Sequence, residues 1–268
     1  MRVSVICPTF NRPERHEQLH RVFSRQTWPD KDLWILDDSP VPSPFFSEPR
    51  EGVHYVHSPE RVSIGAKRNR LLRACEGVVI AHFDDDDWYS PDYLKTMVTA
   101  LRDQSLHFVK LSVWNALSES DGTFWQVDTQ HLQPKHFVIS SDKAPEPTEI
   151  PANEFASLSE EVHEGNLWGY GFSYVYRRAV GEQCPFLGVD FGEDFEFVRR
   201  VRRIFRIGHM SDHADKVVHT MHTKNTAQRI FPQTQLDAAL IPAELRAFLR
   251  ASESPAPTAT SASVGPAA

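Results

Sequence analysis

A run of apolar residues, Val78 to Phe83, ends abruptly in four consecutive aspartates, Asp84 to Asp87, followed by Trp88. Nothing else in the chain constrains the fold as much. Two unit charges ~4 Å apart repel by about 4 kcal/mol at an effective dielectric near 20. Four carboxylates at the end of a buried strand therefore need water or a cation to offset them. In open α/β sheets that position is also where ligands bind. The surrounding sequence fits such a sheet. Val3 to Cys7, Leu33 to Leu36 and Val53 to His57 read as further strands, and Leu33 to Leu36 ends in a second acidic pair, Asp37-Asp38. Glu14 to Gln26 reads as a helix with Leu19, Val22 and Phe23 on one face. Ile64 to Cys75 reads as another, with Leu71, Leu72 and Cys75 as its apolar positions. Pro91 stands where a helix begins, followed by Tyr93, Leu94, Met97, Val98 and Leu101 at helical spacing. Strands alternating with helices imply an α/β fold, a mostly parallel sheet covered on both faces. Two acidic clusters at two strand ends point to one shared crevice.

The second part is less regular. Phe108 to Val113 reads as a strand, while residues 115–165 are polar and turn-rich, with Pro145, Pro147 and Pro151 close together. An exposed or mobile loop is expected there. Gly169-Tyr170-Gly171 precedes an aromatic strand, Phe172 to Tyr176. Phe195 to Phe205 reads as an amphipathic helix with Phe197, Val198, Val201, Ile204 and Phe205 on one face, and Lys216 to His219 as a closing strand. Residues 251–268 hold six Ala, four Ser, three Pro and two Thr, a composition that buries too little apolar surface to order and predicts a flexible tail.

Charge and cysteines narrow the function classes. Lys and Arg number 29 against 36 Asp and Glu, a net charge of −7, which argues against a basic nucleic-acid-binding domain. Arg199, Arg200, Arg202, Arg203 and Arg206 form the most basic stripe. It reads as a solvated helix face, although a membrane surface, a lipid-linked acceptor or a polynucleotide acceptor would need such a stripe. Cys7, Cys75 and Cys184 are widely spaced with no CxxC pair, so neither a zinc ribbon nor a disulfide framework is expected. No apolar run approaches the ~20 residues of a membrane span, and Val3 to Cys7 is too short for a signal-peptide core. A cytoplasmic setting, or one peripheral to the inner membrane face, is expected.

Five motifs in order then carry a resemblance. Val3 to Arg12 (VSVICPTFNR), Ile35 to Ser39 (ILDDS), Ser63 to Asn69 with Ala74 to Gly77 (SIGAKRN, ACEG), Asp84 to Trp88 (DDDDW) and Gly192 to Asp194 (GED) together resemble the family 2 glycosyltransferases of the GT-A fold. The resemblance covers roughly residues 1 to 230. It implies a Rossmann-like sheet flanked by helices with a less regular acceptor-side portion. Residues 1–105 would be the nucleotide-sugar half of a single GT-A domain and residues 106–250 the acceptor and catalytic half.

The resemblance also implies roles. Asp86 would ligate a divalent cation, manganese or magnesium, and Asp84 would contact the ribose or sugar of the donor; Asp85 joins the donor site. Asp38 matches the aspartate that accepts from the nucleotide base, which suits an imide N–H such as uracil's. Pro8, Thr9, Asn11 and Arg12, in the loop after the first strand, would line the same pocket, and turn stabilisation is their plainer reading. Arg68, rather than Lys67, would reach the diphosphate. Asp194 would be the general base that takes the acceptor hydroxyl's proton in a single inverting displacement, with Glu193 tuning it or binding sugar. A helix first turn also favours acids without any catalytic role. His222, in a His-x-x-Asn pattern, would complete the metal or diphosphate site, with His219 as the competing choice. Trp168, Gly169, Tyr170 and Gly171, with Phe172, would form a sugar platform, or simply pack; Trp88 carries the same ambiguity.

The function implied is a metal-dependent inverting transfer of a sugar from a nucleoside-diphosphate donor, UDP foremost, to a hydroxyl acceptor such as a glycan or lipid-linked saccharide. A GT-A-like module that binds nucleotide or glycan without turnover is the alternative. A two-metal phosphohydrolase would need a second carboxylate site, and a nucleotidyltransferase a Gly-rich loop where Pro8 to Arg12 stands.

Overall fold

The computed structural model describes residues 1–140, 143–227 and 229–252. Its first part alternates as the sequence predicts: β1 (Val3–Thr9), α1 (His16–Ser24), β2 (Lys31–Asp37), β3 (Val53–His57), α2 (Ile64–Ala74), β4 (Val79–His82), a two-residue β5 (Trp88–Tyr89) and α3 (Tyr93–Asp103). Val3, Val5, Ile6 and Cys7 of β1 are buried on both faces, as a central parallel strand requires. Leu19, Val22 and Phe23 of α1 face the core, as do Leu94, Met97, Val98 and Leu101 of α3. Ser63 caps α2 by accepting from the Ala66 N–H.

The second part is more ordered than expected. It contains β6 (Phe108–Leu111), β7 (Val113–Ser118), β8 (Phe124–Asp128), β9 (Lys135–Ser140), β10 (Glu146–Glu149), α4 (Ala152–Ala156) and α5 (Glu160–Trp168). Then come β11 (Val175–Arg177), α6 (Arg178–Gln183), α7 (Glu193–Val201), β12 (Ile207–Met210), β13 (Val217–Met221), β14 (Arg229–Ile230), β15 (Thr234–Leu236) and α8 (Ala243–Ser252). The loop expected over 115–165 is thus corrected to hairpins and two helices. Buried Trp114 and Trp125 anchor β7 and β8 in the core. Pro147 sits in the edge strand β10, paired to β9 alone, where a missing N–H costs no ladder bond.

Three sheets replace the single mostly parallel one. The central sheet has the order β12-β6-β11-β4-β1-β2-β3. Its β4-β1-β2-β3 part is parallel, but β11 runs antiparallel to both β4 and β6. A five-stranded sheet, β15-β8-β7-β13-β5, and a three-stranded sheet, β10-β9-β14, extend it. The fold is α/β with a mixed sheet. The amphipathic helix expected over Phe195 to Phe205 runs instead over Glu193–Val201, and Ile204, beyond its end, is 61% exposed. Helix α8 includes Ala251 and Ser252; the rest of the expected tail lies outside the described residues. Among the described residues no helix is long and apolar enough to cross a membrane.

Candidate active site

Because β1 lies between β2 and β4 and runs parallel to both, their carboxyl ends open at one sheet edge, on either side of Thr9. Both acidic clusters meet there. Thr9 Oγ1 donates to Asp85 Oδ2, and Arg12 Nη1 donates to Asp85 Oδ1 at 2.8 Å and to Asp86 Oδ2 at 2.7 Å. The same Asp86 oxygen accepts from His222 Nε2 at 2.9 Å and from Asn225 Nδ2 at 3.2 Å. Its other oxygen, Oδ1, is buried without a hydrogen-bond partner. Asp87 accepts from His219 Nδ1, 2.9 Å from each oxygen, and from the Thr220 N–H at 3.0 Å. One oxygen from each of Asp84, Asp86 and Asp87 lies within 4.8 Å of the others. Three carboxylates this close, with one Asp86 oxygen buried and unpartnered, fit a magnesium- or manganese-type cation.

Charge balance in this cluster is uneven. Burial, with repulsion from Asp87 and Asp86, pushes the Asp84 carboxyl up to about 8. Burial opposes ionisation of Asp86 too, but Arg12 and His222 hold its carboxyl below the usual range. Burial disfavours a charged His219, yet Asp87 outweighs it and lifts the imidazole to about 9. Arg12 and His219 are therefore resident cations, and Asp84 keeps a proton in place of one. His222 differs. The Lys224 N–H donates to its Nδ1 at 3.1 Å, so Nε2 carries the proton that Asp86 accepts.

A second carboxylate stands at the start of α7. Gly192 adopts a φ of +76° and turns the chain into this helix. Asp194 Oδ2 then accepts the Gly171 N–H at 2.9 Å, and Oδ1 accepts the Phe195 N–H at 2.7 Å. A Cβ on Gly171 would sit 3.1 Å from the Asp194 Cβ, so the approach depends on glycine. Beside it, buried Glu193 is paired with Arg68 Nη1 from α2. Burial raises the Glu193 carboxyl, and Arg68 opposes that rise. Gly171 O also meets Nδ1 of His82, the last residue of β4, at 3.1 Å. The Asp194 segment is thereby tied to the strand that carries the acidic run.

Comparisons with known proteins now decide the family. The family model described as "Glycosyl transferase family 2" matches residues 4–165. The chain belongs to this family. A Bacillus subtilis (strain 168) member, described as "Putative glycosyltransferase EpsH", is 24% identical over 190 residues, covering 67% of this chain and 48% of its own. S. aureus TarS 1–349, solved in complex with UDP-GlcNAc, superposes with a TM-score of 0.59 at 18% identity, over 84% of this chain and 60% of that one. The Pyrobaculum calidifontis mannosyltransferase PcManGT, solved with GDP-Man and Mn2+, gives a TM-score of 0.55 at 18% identity, over 85% and 58%. These likenesses show the shared fold, consistent with the GT-A superfamily. The family 2 chain spans about half the length of its curated relative and under two thirds of these structures.

Most of the residues singled out from the sequence of this family 2 member come together. Thr9, Arg12, Asp85, Asp86 and His222 form one hydrogen-bonded group. Pro8 lies in β1, and Asn11, with a φ of +54°, donates its N–H to Ser39 Oγ at 2.7 Å. Asp38 is buried, accepting from Lys67 Nζ at 2.7 Å, Arg61 Nη1 at 2.8 Å and the Val62 N–H at 2.8 Å. Lys67 also donates to Thr9 O at 2.9 Å, joining the two acidic strand ends. Arg68, expected to reach the diphosphate, is buried and paired with Glu193. Tyr170 packs on Trp114, whereas Trp168 meets His209 edge-on. Trp88 is buried in the main core. The expected basic stripe is not one helix face: Arg199 and Arg200 lie on α7, whereas Arg202, Arg203 and Arg206 follow its end. Arg199 is paired with Glu161 and Glu196, and Arg202 with Glu164 of α5. The sequence reading missed Arg61, His82 and Lys110. Lys110 did leave a signal, a single charge inside the apolar strand Phe108–Leu111.

Proposed function

We propose that this chain transfers a glycosyl group from a nucleoside-diphosphate sugar, a UDP-sugar foremost, to a hydroxyl acceptor by one inverting displacement. The observation that carries the reading is the convergence of Asp84, Asp86 and Asp87 at the end of β4, with Asp86 Oδ1 buried and unpartnered. The complexes of TarS with UDP-GlcNAc and of PcManGT with GDP-Man and Mn2+ support this donor class and cation. Asp84 and Asp86 hold the cation in this reading. When bound, it supplies charge neutralisation for the departing diphosphate. Arg12, His222 and Asn225 fix one oxygen of Asp86 and so orient the other. Asp38, held by Lys67, Arg61 and the Val62 N–H, is the acceptor for the imide N–H of a base in this reading, which requires the half-exposed Arg61 to move aside because the Asp38 side chain is fully covered. Asp194, steadied by two backbone N–H groups, takes the proton of the acceptor hydroxyl as that oxygen attacks the anomeric carbon. Glu193 and Gly169 to Gly171 line the sugar side.

In this scheme residues 1–105 serve the donor and residues 106–250 the acceptor and the base. The acceptor in this reading is a saccharide, free or lipid-linked, or another hydroxyl-bearing biomolecule. The cysteines Cys7, Cys75 and Cys184 are all free and buried, which fits a reducing cytoplasmic setting.

The test is a thermal-shift screen of nucleotide sugars with and without manganese, followed by nucleotide release on each hit. Metal-dependent stabilisation with turnover is expected. Asp194→Asn is expected to keep donor binding and to lower turnover ~10²–10⁴-fold, the usual size of a general-base contribution. Full transfer by that variant would remove the base. Unchanged manganese-dependent UDP affinity in Asp86→Ala would remove the metal site.

A further inference from the structure

Residues 167–172 carry the turn between α5 and β11, and buried side chains from beneath hold nearly every carbonyl in it. Lys110, fully buried on β6, donates from Nζ to Leu167 O and to Gly169 O, each at 2.6 Å. Tyr174 Oη donates to Trp168 O. His82 Nδ1 donates to Gly171 O at 3.1 Å, while His82 Nε2 accepts from Tyr176 Oη at 3.1 Å. Tyr89 Oη donates to Phe172 O at 3.0 Å and accepts the Asp84 N–H at 3.0 Å. With the flanking carbonyls, Gly169 O and Gly171 O, held from beneath, the peptide joining Tyr170 to Gly171 presents its N–H to Asp194 at 2.9 Å. Tyr170 pays a φ of +67° for this arrangement, a conformation that a bulky residue adopts only when its surroundings impose it.

Lys110 is the member least explained by packing. A fully buried ammonium is costly; a leucine or methionine would avoid that cost but leave the Leu167 and Gly169 carbonyls without this donor. Burial lowers the Lys110 ammonium to about 7, and the charge of Asp194 acts against that fall. The cation thus sits between the carboxyl end of α5, where the helix dipole favours it, and the field of the carboxylate.

We infer that Lys110 is a positioning residue for Asp194: by gripping the Leu167 and Gly169 carbonyls it sets the peptide whose N–H fixes Asp194 Oδ2. This inference rests on Asp194 being the general base, and the experiment separates the two. Lys110→Met removes the donors at nearly constant volume; Lys110→Gln keeps a shorter donor and covers the case in which the methionine variant does not fold. The first readout needs no substrate. Hydrogen exchange of the Gly171 amide, followed by NMR in the metal-free protein, is expected to speed up at least tenfold in either variant, while amides of β1 stay protected. Unchanged Gly171 exchange in a folded variant overturns the inference. The second readout is a double-mutant cycle on the donor found by the screen. Lys110→Met is expected to lower kcat ten- to a hundredfold with donor KM within twofold, and to cost nothing further in the Asp194→Asn background. An equal additional loss in that background also overturns it. Full activity in Asp194→Asn alone would instead refute the base assignment, leaving the exchange result to stand by itself.

Discussion

At the scale of single residues, two carboxylates of the acidic run, Asp84 and Asp86, are shifted in opposite directions. Asp84 is raised to about 8 by burial and by Asp87 and Asp86, whereas Asp86 is held low by Arg12 and His222 against burial. A divalent cation entering beside Asp84 must displace its proton. We expect calorimetry at pH 7, run in buffers of different ionisation enthalpy, to show about one proton released per manganese bound. Affinity should rise as pH climbs from 6 to 8 and level off above. Asp84→Asn should abolish the release, and release persisting in that variant would mean the proton leaves another group. His219 makes the opposite use of titration. Its folded value is raised to about 9, above the unfolded value near 6.5. Its contribution is therefore fully present below about 6.5 and is lost as pH rises through about 9. His219→Leu would leave Asp87 buried without its partner, a change that typically costs 3–5 kcal/mol. Urea unfolding at pH 6 should show that loss, and at pH 9.5 the difference from the parent should be clearly smaller. Equal losses at both pH values would mean that packing against Phe172, stacked 4.8 Å away, dominates.

Elements explain which parts of this were legible in the sequence. The first strands and helices were readable because each is locally consistent: apolar residues through β1, Leu71, Leu72 and Cys75 at helical spacing in and just after α2, and 3.6-residue spacing in α3. The acidic run was readable as a carboxylate cluster at a strand end because both the strand and the run are local in sequence. The segment over 115–165 was not, because its order comes from partners distant in sequence: β7 pairs with β13, β9 with β14, and β8 with β15. Nothing local distinguishes a polar edge strand from a loop. Arg68 was legible as a cation but not as the partner of Glu193, 125 positions later. That pairing relies on how α2 meets the segment leading into α7. Asn69 exchanges hydrogen bonds with the backbone of Phe186 at 2.8 Å each way, and the Gly65 N–H donates to Val189 O at 3.2 Å. A Cβ on Gly65 would lie 1.8 Å from Leu187 O, a backbone atom. Gly65→Ala must therefore move the 187–190 segment off the helix. Overpacking of this kind costs typically 1–3 kcal/mol, against the small gain in helix propensity that alanine brings. Chemical denaturation should show the loss, and turnover should fall as Glu193 and Asp194 shift. A stabilised, fully active Gly65→Ala would show that the segment moves freely.

For the whole molecule, the question is whether the proposed donor side and acceptor side are separable. Sequence order suggests a division near residue 105, but strand order crosses it repeatedly. β11, from the second half, inserts between β4 and β6 of the central sheet, and β13 pairs with β5 of the first half. The metal-side contacts cross as well, since His219 and His222 come from the second half and Asp86 and Asp87 from the first. A fragment ending near residue 105 would expose the β4 edge that β11 covers, together with an unpaired Asp87. We therefore expect one cooperative unfolding transition. The tryptophans make the test direct, because Trp28, Trp34 and Trp88 report on the first half and Trp114, Trp125 and Trp168 on the second. Variants that keep only one group should give urea midpoints that coincide with each other and with far-ultraviolet circular dichroism. Manganese should raise all of them together, because the cation's carboxylates are braced from both halves. Midpoints that separate, or a metal shift seen by the first group alone, would instead make the donor half an independent folding unit on which the catalytic half merely docks.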